Sequence, residues 1–410
     1  MDAQRLQKID KILNDAMDLP RDQRPVYVNQ ACEGDDSLVT EVIEMLALEG
    51  ELEEDGFLQR PLFQWDAQPL GEGDKVGPYY IKRLLGEGGM GQVYEAEQKE
   101  PFHRKVALKQ IKVGMDTQLV AKRFQQEQET LARLNHPYIA QVFDAGSNER
   151  GQPYFVMEYI EGKPISTYCD EECLNVEARL ELFNKVCEGI QYAHQRGTIH
   201  RDLKPANILI TIKNGEAIPK IIDFGIAKVI GAEEVAQQTL SRMGNLQLTQ
   251  TGLVMGSLAY MSPEQALLDD RAVDTASDIY SLGAILYELL VGKRPLDEVL
   301  TDNLAWDEML RKIREKEPTR PSQSLRRDEG LFELAHKRRS SPKRLPKELK
   351  GELDWIIMTA LAKEKERRYA TVAALADDCR RYLHNEPVVA KPASTYYVFS
   401  KLVRRHKMIL

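Results

Sequence analysis

The spacing of apolar residues changes along the chain and divides it into three parts. Within residues 1–50, apolar side chains recur every three or four positions, which predicts a small module of short helices. From Tyr79 onward, apolar and polar residues alternate in short runs, which is typical of β-strands. The predicted strands cover residues 80–85, 91–97, 105–110, 139–143 and 154–158.

The helical period returns after Gly162 and then dominates the chain. A strand-rich segment followed by a helix-rich one indicates an α+β protein with two unequal lobes. Residues 51–78 are acidic and then rich in Gly, Pro and Gln, so we interpret them as a linker. The predicted helices cover residues 118–134, among the strands, and 176–196, 276–291, 305–315, 353–362 and 372–383.

Composition and charge narrow the classes of protein that fit. The chain has 410 residues, of which 42% are hydrophobic and 29% charged, as in ordinary soluble proteins. A net charge of -8, spread along the chain, gives no reason to expect a nucleic-acid partner. Five cysteines at irregular spacing predict reduced thiols, although Cys169 and Cys173 could also bond to each other or share a metal.

A glycine-rich loop lies between the first two strands. Glycines allow a backbone to fold closely over phosphate groups and to direct N–H groups at their oxygens. A dinucleotide site would require a helix after the loop, whereas a strand follows here, so we reject that interpretation. The predicted phosphate-binding residues are Gly86, Glu87, Gly88, Gly89, Met90 and Gly91.

Lys109 ends a predicted buried strand, 18 residues after Gly91. A lysine at this distance can bind the α- and β-phosphates of a nucleotide if a buried acid holds it. The helix that follows offers Glu127 and Glu129. We favour Glu127 as the partner and interpret Glu129 as part of a solvated face.

The strongest chemical signal runs from His200 to Asn207. The carboxylate of Asp202 can accept a hydroxyl proton, Lys204 can neutralise charge on a phosphoryl group, and Asn207 can bind Mg²⁺. Sixteen residues beyond Asn207, Asp223 follows a predicted buried strand and supplies a second metal-binding oxygen.

With these motifs in order, residues from about Tyr79 to Pro387 resemble the eukaryotic-like (Hanks-type) protein kinases. The glycine loop and Ser262-Pro263-Glu264-Gln265 are most similar to the bacterial serine/threonine branch. The resemblance implies a two-lobed kinase fold over residues 79–385, with a β-rich N-lobe (79–160) that contains helix C and a mostly helical C-lobe (161–385). It also implies ATP and Mg²⁺ as cofactors, with Mn²⁺ as the alternative ion, and protein substrates.

The resemblance assigns further positions by their place in the motifs. It implies an adenine site in which Met157 is the gatekeeper and Glu158 begins the hinge. It also implies a buried ion pair between Glu264 and Arg368. The other adenine-binding residues that it implies are Val93, Ala107, Ile160 and Leu209. The other structural residues that it implies are His200, Arg201, Phe224 and Asp278.

Arg201, a cation beside Asp202, predicts regulation by phosphate on the segment that precedes Glu264. Thr249 and Thr251 are the predicted autophosphorylation sites, and self-association would allow one copy to phosphorylate another. Ser257 is predicted to bond to Asp202 and Lys204, next to the substrate, rather than to accept phosphate.

Two basic segments remain. Residues 318–350 are rich in Arg, Ser and Pro; we interpret them as a solvated loop, with recruitment of an acidic substrate as the alternative. The tail, residues 386–410, ends in an aromatic and basic run that is typical of the cytoplasmic flank of a membrane helix. We therefore expect a cytoplasmic domain, with either membrane attachment through sequence beyond residue 410 or a basic amphipathic helix at the end.

Three alternatives to a protein kinase each make a different prediction about the sequence. A pseudokinase would lack Lys109, Asp202, Asn207 or Asp223, and all four residues are present. A small-molecule kinase of related fold would lack the long segment that ends in Ser-Pro-Glu. An interaction protein would depend mainly on residues 1–65, whose role the sequence does not reveal.

Overall fold

The computed structural model describes residues 70–88, 91–111, 133–149, 151–224, 258–267, 272–297 and 306–392, together with Tyr27, Val28, Ala31, Cys32, Val39 and Lys401. The chain divides into two units, Met1–Pro69 and Leu70–Leu410. In the first unit the amide of Cys32 donates to the carbonyl of Val28 at 3.1 Å, which is a helical turn. The rest of the predicted N-terminal module and most of the predicted helix 118–134 lie outside the described residues.

A six-stranded antiparallel sheet forms the first part of the second unit. Its core contains Tyr79, Ile81, Tyr94, Val106 and Leu108, which point inward at alternate positions of three adjacent strands. The spatial order is β1-β2-β3-β4-β6-β5. The strands are β1 (Lys75–Val76), β2 (Tyr79–Gly88), β3 (Gly91–Gln98), β4 (Arg104–Ile111), β5 (Val142–Ser147) and β6 (Pro153–Glu158).

Two boundaries predicted from the sequence were wrong. Strand β1 pairs with β2, so the end of the predicted linker belongs to the sheet. The strand predicted at 139–143 begins only at Val142. Ile139 is buried for a different reason, because it forms a parallel bridge with Ile221 outside the sheet. An apolar run shows that a segment is buried but not which partner covers it.

A small three-stranded sheet and a set of helices follow. The strands β7 (Lys163–Pro164), β8 (Ile208–Lys213) and β9 (Glu216–Ile221) pair in that order. The helices are α1 (Ile165–Glu171), α2 (Val176–His194), α3 (Thr275–Val291), α4 (Trp306–Glu315), α5 (Pro321–Arg326), α6 (Leu331–Lys337), α7 (Leu345–Leu349), α8 (Glu352–Ala360) and α9 (Val372–Leu383).

Helix α3 is the centre of this helical part and is buried along nearly its whole length. The side chain of Asp274 caps its first turn by accepting from the amide of Ala276 at 2.8 Å. It ends at Gly292, whose φ of 77° is left-handed, a conformation that glycine adopts without steric cost. At Gly283 an added Cβ would lie 2.8 Å from the Cβ of Ala360, so glycine lets α8 pack closely.

The basic segment 318–350 is not a solvated loop, and that interpretation was wrong. It forms α5, α6 and α7, and residues from all three helices are buried in the core. Arg338 is 1% exposed and donates to the carbonyls of Leu289 and Leu290 at the end of α3, at 2.9 and 2.7 Å. Burial, with the nearby charge of Arg179, lowers the pKa of Arg338 to about 10. Carbonyl dipoles at a helix C-terminus therefore hold a cation that the sequence suggests is solvated.

Candidate active site

Strands β2 and β3 form the glycine-rich hairpin, in which Gly88 pairs with Gly91. Gly86 and Glu87 lie on β2, and the turn residues Gly89 and Met90 lie outside the described residues. A Cβ on Gly91 would lie 2.1 Å from the carbonyl oxygen of Gln110 on β4. Only glycine allows β3 to begin so close to its neighbour.

The register of the sheet brings the predicted adenine-binding residues onto neighbouring strands. Val93 pairs with Lys109 between β3 and β4, and Ala107 pairs with Met157 between β4 and β6. Ala107 and Met157 are buried. The other members of the predicted set lie at the end of β6, just beyond β6 and on β8: Glu158, Ile160 and Leu209.

Among the described residues, Lys109 contacts the acid Asp223, 114 residues away in sequence. The Lys109 Nζ donates to Asp223 Oδ2 at 2.7 Å, and the lysine side chain is 7% exposed. Asp223 has a φ of 64°, an uncommon backbone conformation for a residue other than glycine. The predicted partner Glu127 lies outside the described residues.

Asp202, Lys204 and Asn207 form one hydrogen-bonded group. Lys204 Nζ donates to Asp202 Oδ2 at 2.8 Å. Asn207 Nδ2 donates to the Asp202 carbonyl at 2.8 Å and to Asp202 Oδ2 at 3.2 Å. The amide of Ile222 donates to the Asn207 carbonyl at 2.9 Å, which ties this group to the residue before Asp223.

Asp278, at the start of α3, binds the backbone of the first two residues of the catalytic loop, residues 200–207. Its carboxylate accepts from His194 Nε2 at 2.7 Å and from the amides of His200 and Arg201 at 2.8 and 3.0 Å. Burial raises the pKa of Asp278, but the hydrogen bond and charge of His194 outweigh it and leave the pKa below its usual value. The His200 ring lies 4.6 Å from that of Phe224, between their centroids.

Glu264 and Arg368 form a bidentate ion pair, 104 residues apart. The two guanidinium nitrogens donate to the two carboxylate oxygens at 2.7 and 2.8 Å. Ser277 Oγ also donates to Glu264 at 2.7 Å. Burial pushes the pKa of Glu264 up, but the bonds and charge of Arg368 bring it below the usual value. The carboxylate is therefore held in its charged form.

The sequence model of the protein kinase domain matches residues 79–378, which include each of these groups. The chain belongs to the protein kinase family. Curated relatives include the serine/threonine-protein kinase PknB of Mycobacterium tuberculosis, 35% identical over 77% of this chain and 45% of its own length. Pkn1 of Myxococcus xanthus is 33% identical over 75% of this chain and 39% of its own length. The chain spans less than half the length of these relatives.

A solved kinase domain has the same fold. The crystal structure of the Mycobacterium tuberculosis PknI kinase domain matches 77% of this chain and 99% of its own, with 26% identity and a TM-score of 0.52. The two-lobed kinase architecture expected from the motifs is thereby confirmed for this chain.

The residues predicted to hold a metal are Asn207 and Asp223. Both present amide or carboxylate oxygens, the ligands that Mg²⁺ prefers, and the Asn207 amide nitrogen is already engaged with Asp202. Mg²⁺ in kinases takes its remaining ligands from phosphates and water, so a two-residue set fits. No group of three His, Cys, Asp or Glu side chains within the described ranges could hold a metal, and all five cysteines are free thiols.

Several predicted kinase residues lie outside the described part of the chain: Gly89, Met90, Glu127, Thr249, Thr251 and Ser257. Sequence reasoning also missed two residues that the structure brings to the site. Gln265 bonds to Arg201 in the catalytic loop, and Lys220 bonds to Glu158 at the predicted hinge. Lys220 lies on the buried strand just before Asp223, and a lysine on a buried strand was a signal that could have found it.

Lys220 ties Glu158, the first residue of the predicted hinge, to strand β9. Its Nζ donates to Glu158 Oε2 at 2.7 Å, and the lysine side chain is 8% exposed. Glu158 is also bound to Gln141, because its amide donates to the Gln141 carbonyl at 2.8 Å. The hinge backbone that would bond to adenine is therefore fixed through both the main chain and the side chain of Glu158.

We expect Lys220→Met to raise the KM for ATP about tenfold and to change kcat less, because a charge-assisted bond of about 1.5–3 kcal/mol holds the hinge. Lys213→Met is the matched control. Lys213 lies 4.0 Å from the same carboxylate but its side chain is 55% exposed, so its loss should have little effect. Steady-state kinetics with varied ATP measure both variants, and an unchanged KM in Lys220→Met would contradict the prediction.

Proposed function

We propose that this chain is a serine/threonine protein kinase that transfers the γ-phosphoryl group of ATP to hydroxyls of protein substrates. The observation that carries the proposal is the bonded group of Asp202, Lys204 and Asn207, joined to the strand that leads to Asp223. In this group Asp202 orients the attacking hydroxyl and accepts its proton, and Lys204 neutralises the charge that develops on the phosphoryl oxygens. Bound Mg²⁺ would neutralise phosphate charge beside Asn207 and Asp223.

Phosphotransfer to a general protein substrate, with ATP labelled at the γ-phosphate, tests the proposal. Hydrolysis of the product should release labelled phosphoserine or phosphothreonine. Label found only on tyrosine, or only on a small molecule, would contradict it. Mn²⁺ in place of Mg²⁺ shows in the same assay which ion the site accepts.

We also propose activation by autophosphorylation of Thr249 or Thr251, in a reaction between two copies. The half-buried Arg201 beside Asp202 supports a site for phosphate close to the catalytic loop. The double variant Thr249→Ala, Thr251→Ala should lower kcat about tenfold or more, since one or two charge-assisted bonds would be lost. Peptide mapping after incubation with ATP identifies the sites. Wild-type activity in the double variant would sink the proposal, and a labelling rate that rises with protein concentration would support transfer between copies.

The aromatic and basic run of residues 396–410 supports a third proposal, that the kinase works as a cytoplasmic domain held at a membrane by other sequence of its parent protein. No helix within the described ranges is long and apolar enough to cross a bilayer. Fractionation of cells that express the full-length gene tests the proposal. Recovery in the soluble fraction alone would contradict it. Residues 1–50 are proposed to act as a docking or regulatory module for the kinase domain at 79–385.

A further inference from the structure

Gln265 is the last residue of the Ser-Pro-Glu-Gln motif. Its side chain takes no part in the ion pair of Glu264 with Arg368 and has contacts of its own. Its side-chain amide is buried, 7% exposed, and bonds at both ends. Nε2 donates to the carbonyl oxygen of Arg201 at 2.7 Å. Oε1 accepts from the amide and the hydroxyl of Ser262, both at 3.1 Å. The orientation of the amide is fixed, because a carbonyl needs a donor and an N–H needs an acceptor.

The carbonyl that Gln265 binds belongs to the peptide unit between Arg201 and Asp202. The N–H of that unit, on Asp202, donates to His200 Nδ1 at 3.3 Å. Both polar ends of the peptide that leads into the catalytic aspartate are therefore held by side chains. A peptide unit is planar, so fixing its two ends fixes the direction in which the Asp202 Cα leaves it.

The backbone at this point needs such support. Arg201 has a φ of 68°, a left-handed conformation that costs a non-glycine residue about 1–3 kcal/mol. Its own amide donates to Asp278 Oδ1 at 3.0 Å. Asp278 therefore holds the chain before Arg201, and Gln265 holds it after Arg201. Without the second contact, the peptide before Asp202 can rotate toward a relaxed conformation.

The other end of Gln265 reaches Ser262, in the segment that leads to Glu264. Ser262 is fully buried, and its hydroxyl also accepts from the backbone N–H of Gln265 at 3.3 Å. Ser262 and Gln265 are therefore bonded to each other through both the backbone and the side chain of each residue, and they form one bonded unit. That unit contacts the catalytic loop through the bond from Gln265 Nε2 to the Arg201 carbonyl, and this bond couples the segment to Asp202.

We propose that Gln265 is a positioning residue that keeps Asp202 in its productive orientation when Ser262 is hydrogen-bonded to the Gln265 side chain. The inference rests on the proposed kinase function. Glutamine suits the role because one side chain must both donate to Arg201 and accept from Ser262. An ionised glutamate would place an oxygen against the Arg201 carbonyl, whereas a protonated glutamate restores the donor.

The test compares Gln265→Leu with Gln265→Glu from pH 6 to pH 8, each as a ratio to the wild-type kinase. Gln265→Leu should lower kcat about tenfold to a hundredfold at every pH, with the KM for ATP nearly unchanged, because misplaced catalytic groups cost rate rather than nucleotide binding. Burial raises the pKa of the new carboxyl, so the kcat of Gln265→Glu relative to wild type should be low at pH 8 and should rise toward pH 6.

Gln98→Glu on β3 is the matched control. Gln98 is 8% exposed and, like Gln265, donates to a carbonyl, that of Glu100, and accepts from an N–H, that of Arg104. Its activity ratio should stay flat with pH. A flat ratio for Gln265→Glu, or wild-type kcat in Gln265→Leu, would overturn the inference. Failure of the kinase proposal itself would appear instead as no phosphotransfer by the wild-type chain.

Discussion

Asp202→Asn is expected to lower kcat for protein phosphorylation by about a thousandfold, within the range for loss of a positioned general base. The Asp202 carboxylate accepts hydrogen bonds from the side chains of both Lys204 and Asn207. An asparagine oxygen can still accept one of these bonds, so the loop should keep its shape. The variant loses the negative charge that is proposed to accept the substrate proton.

Nucleotide binding should survive in the same variant, because the predicted ATP contacts on the six-stranded sheet, on β8 and on Asp223 do not use the Asp202 side chain. The stabilisation of the melting temperature by ATP and Mg²⁺ measures binding without turnover. Asp307→Asn makes the same change at an exposed position on α4 and should leave kcat intact. Appreciable phosphotransfer by Asp202→Asn would remove Asp202 from the role of base.

Arg368→Met is expected to lower the free energy of unfolding by about 3–5 kcal/mol, since it leaves a buried carboxylate without its partner. The Arg368 side chain is fully buried. Besides Glu264 it binds the carbonyls of Ala276 and Ala362, at 2.9 and 2.7 Å, and these would also lose their donor. We expect the melting temperature to fall by about 10 °C.

Arg367→Met is the control for this prediction. It is the neighbouring arginine, its side chain is 74% exposed, and it pairs with Glu364, whose side chain is 62% exposed. Its loss should cost less than about 1 kcal/mol. Denaturant unfolding of the three proteins gives the comparison, and equal losses for the two variants would contradict the importance of burial.

The loss of unfolding free energy caused by Arg368→Met should also depend on pH. The pKa of Glu264 is lowered in the native protein, so its pair adds stability above the unfolded value, about 4.3, and loses it as the pH falls through the lower native pKa. The difference in unfolding free energy between wild type and Arg368→Met should therefore be largest near neutral pH and shrink on acidification. A deficit that stays constant down to pH 3 would show that the charge of Glu264 is not its source.

The sequence by itself determined the family and the order of the chemical groups. Lys109, Asp202, Asn207 and Asp223 carry chemistry that depends on residue type and spacing, and both can be read from the chain. It also determined helices with clear periodicity; α9 runs from Val372 to Leu383, as predicted. Local rules suffice for such elements because the apolar face and the cap lie within a few residues of each other.

Only the tertiary structure decided which distant groups meet. The contacts of Lys109 with Asp223, Lys220 with Glu158 and Gln265 with Arg201 join residues 62 to 114 positions apart. The buried Arg338 is the sharpest case, because its sequence neighbourhood is basic and suggests solvent exposure. A charged side chain is stable inside a protein only if specific partners surround it. Those partners come from remote parts of the chain, so no local pattern records them.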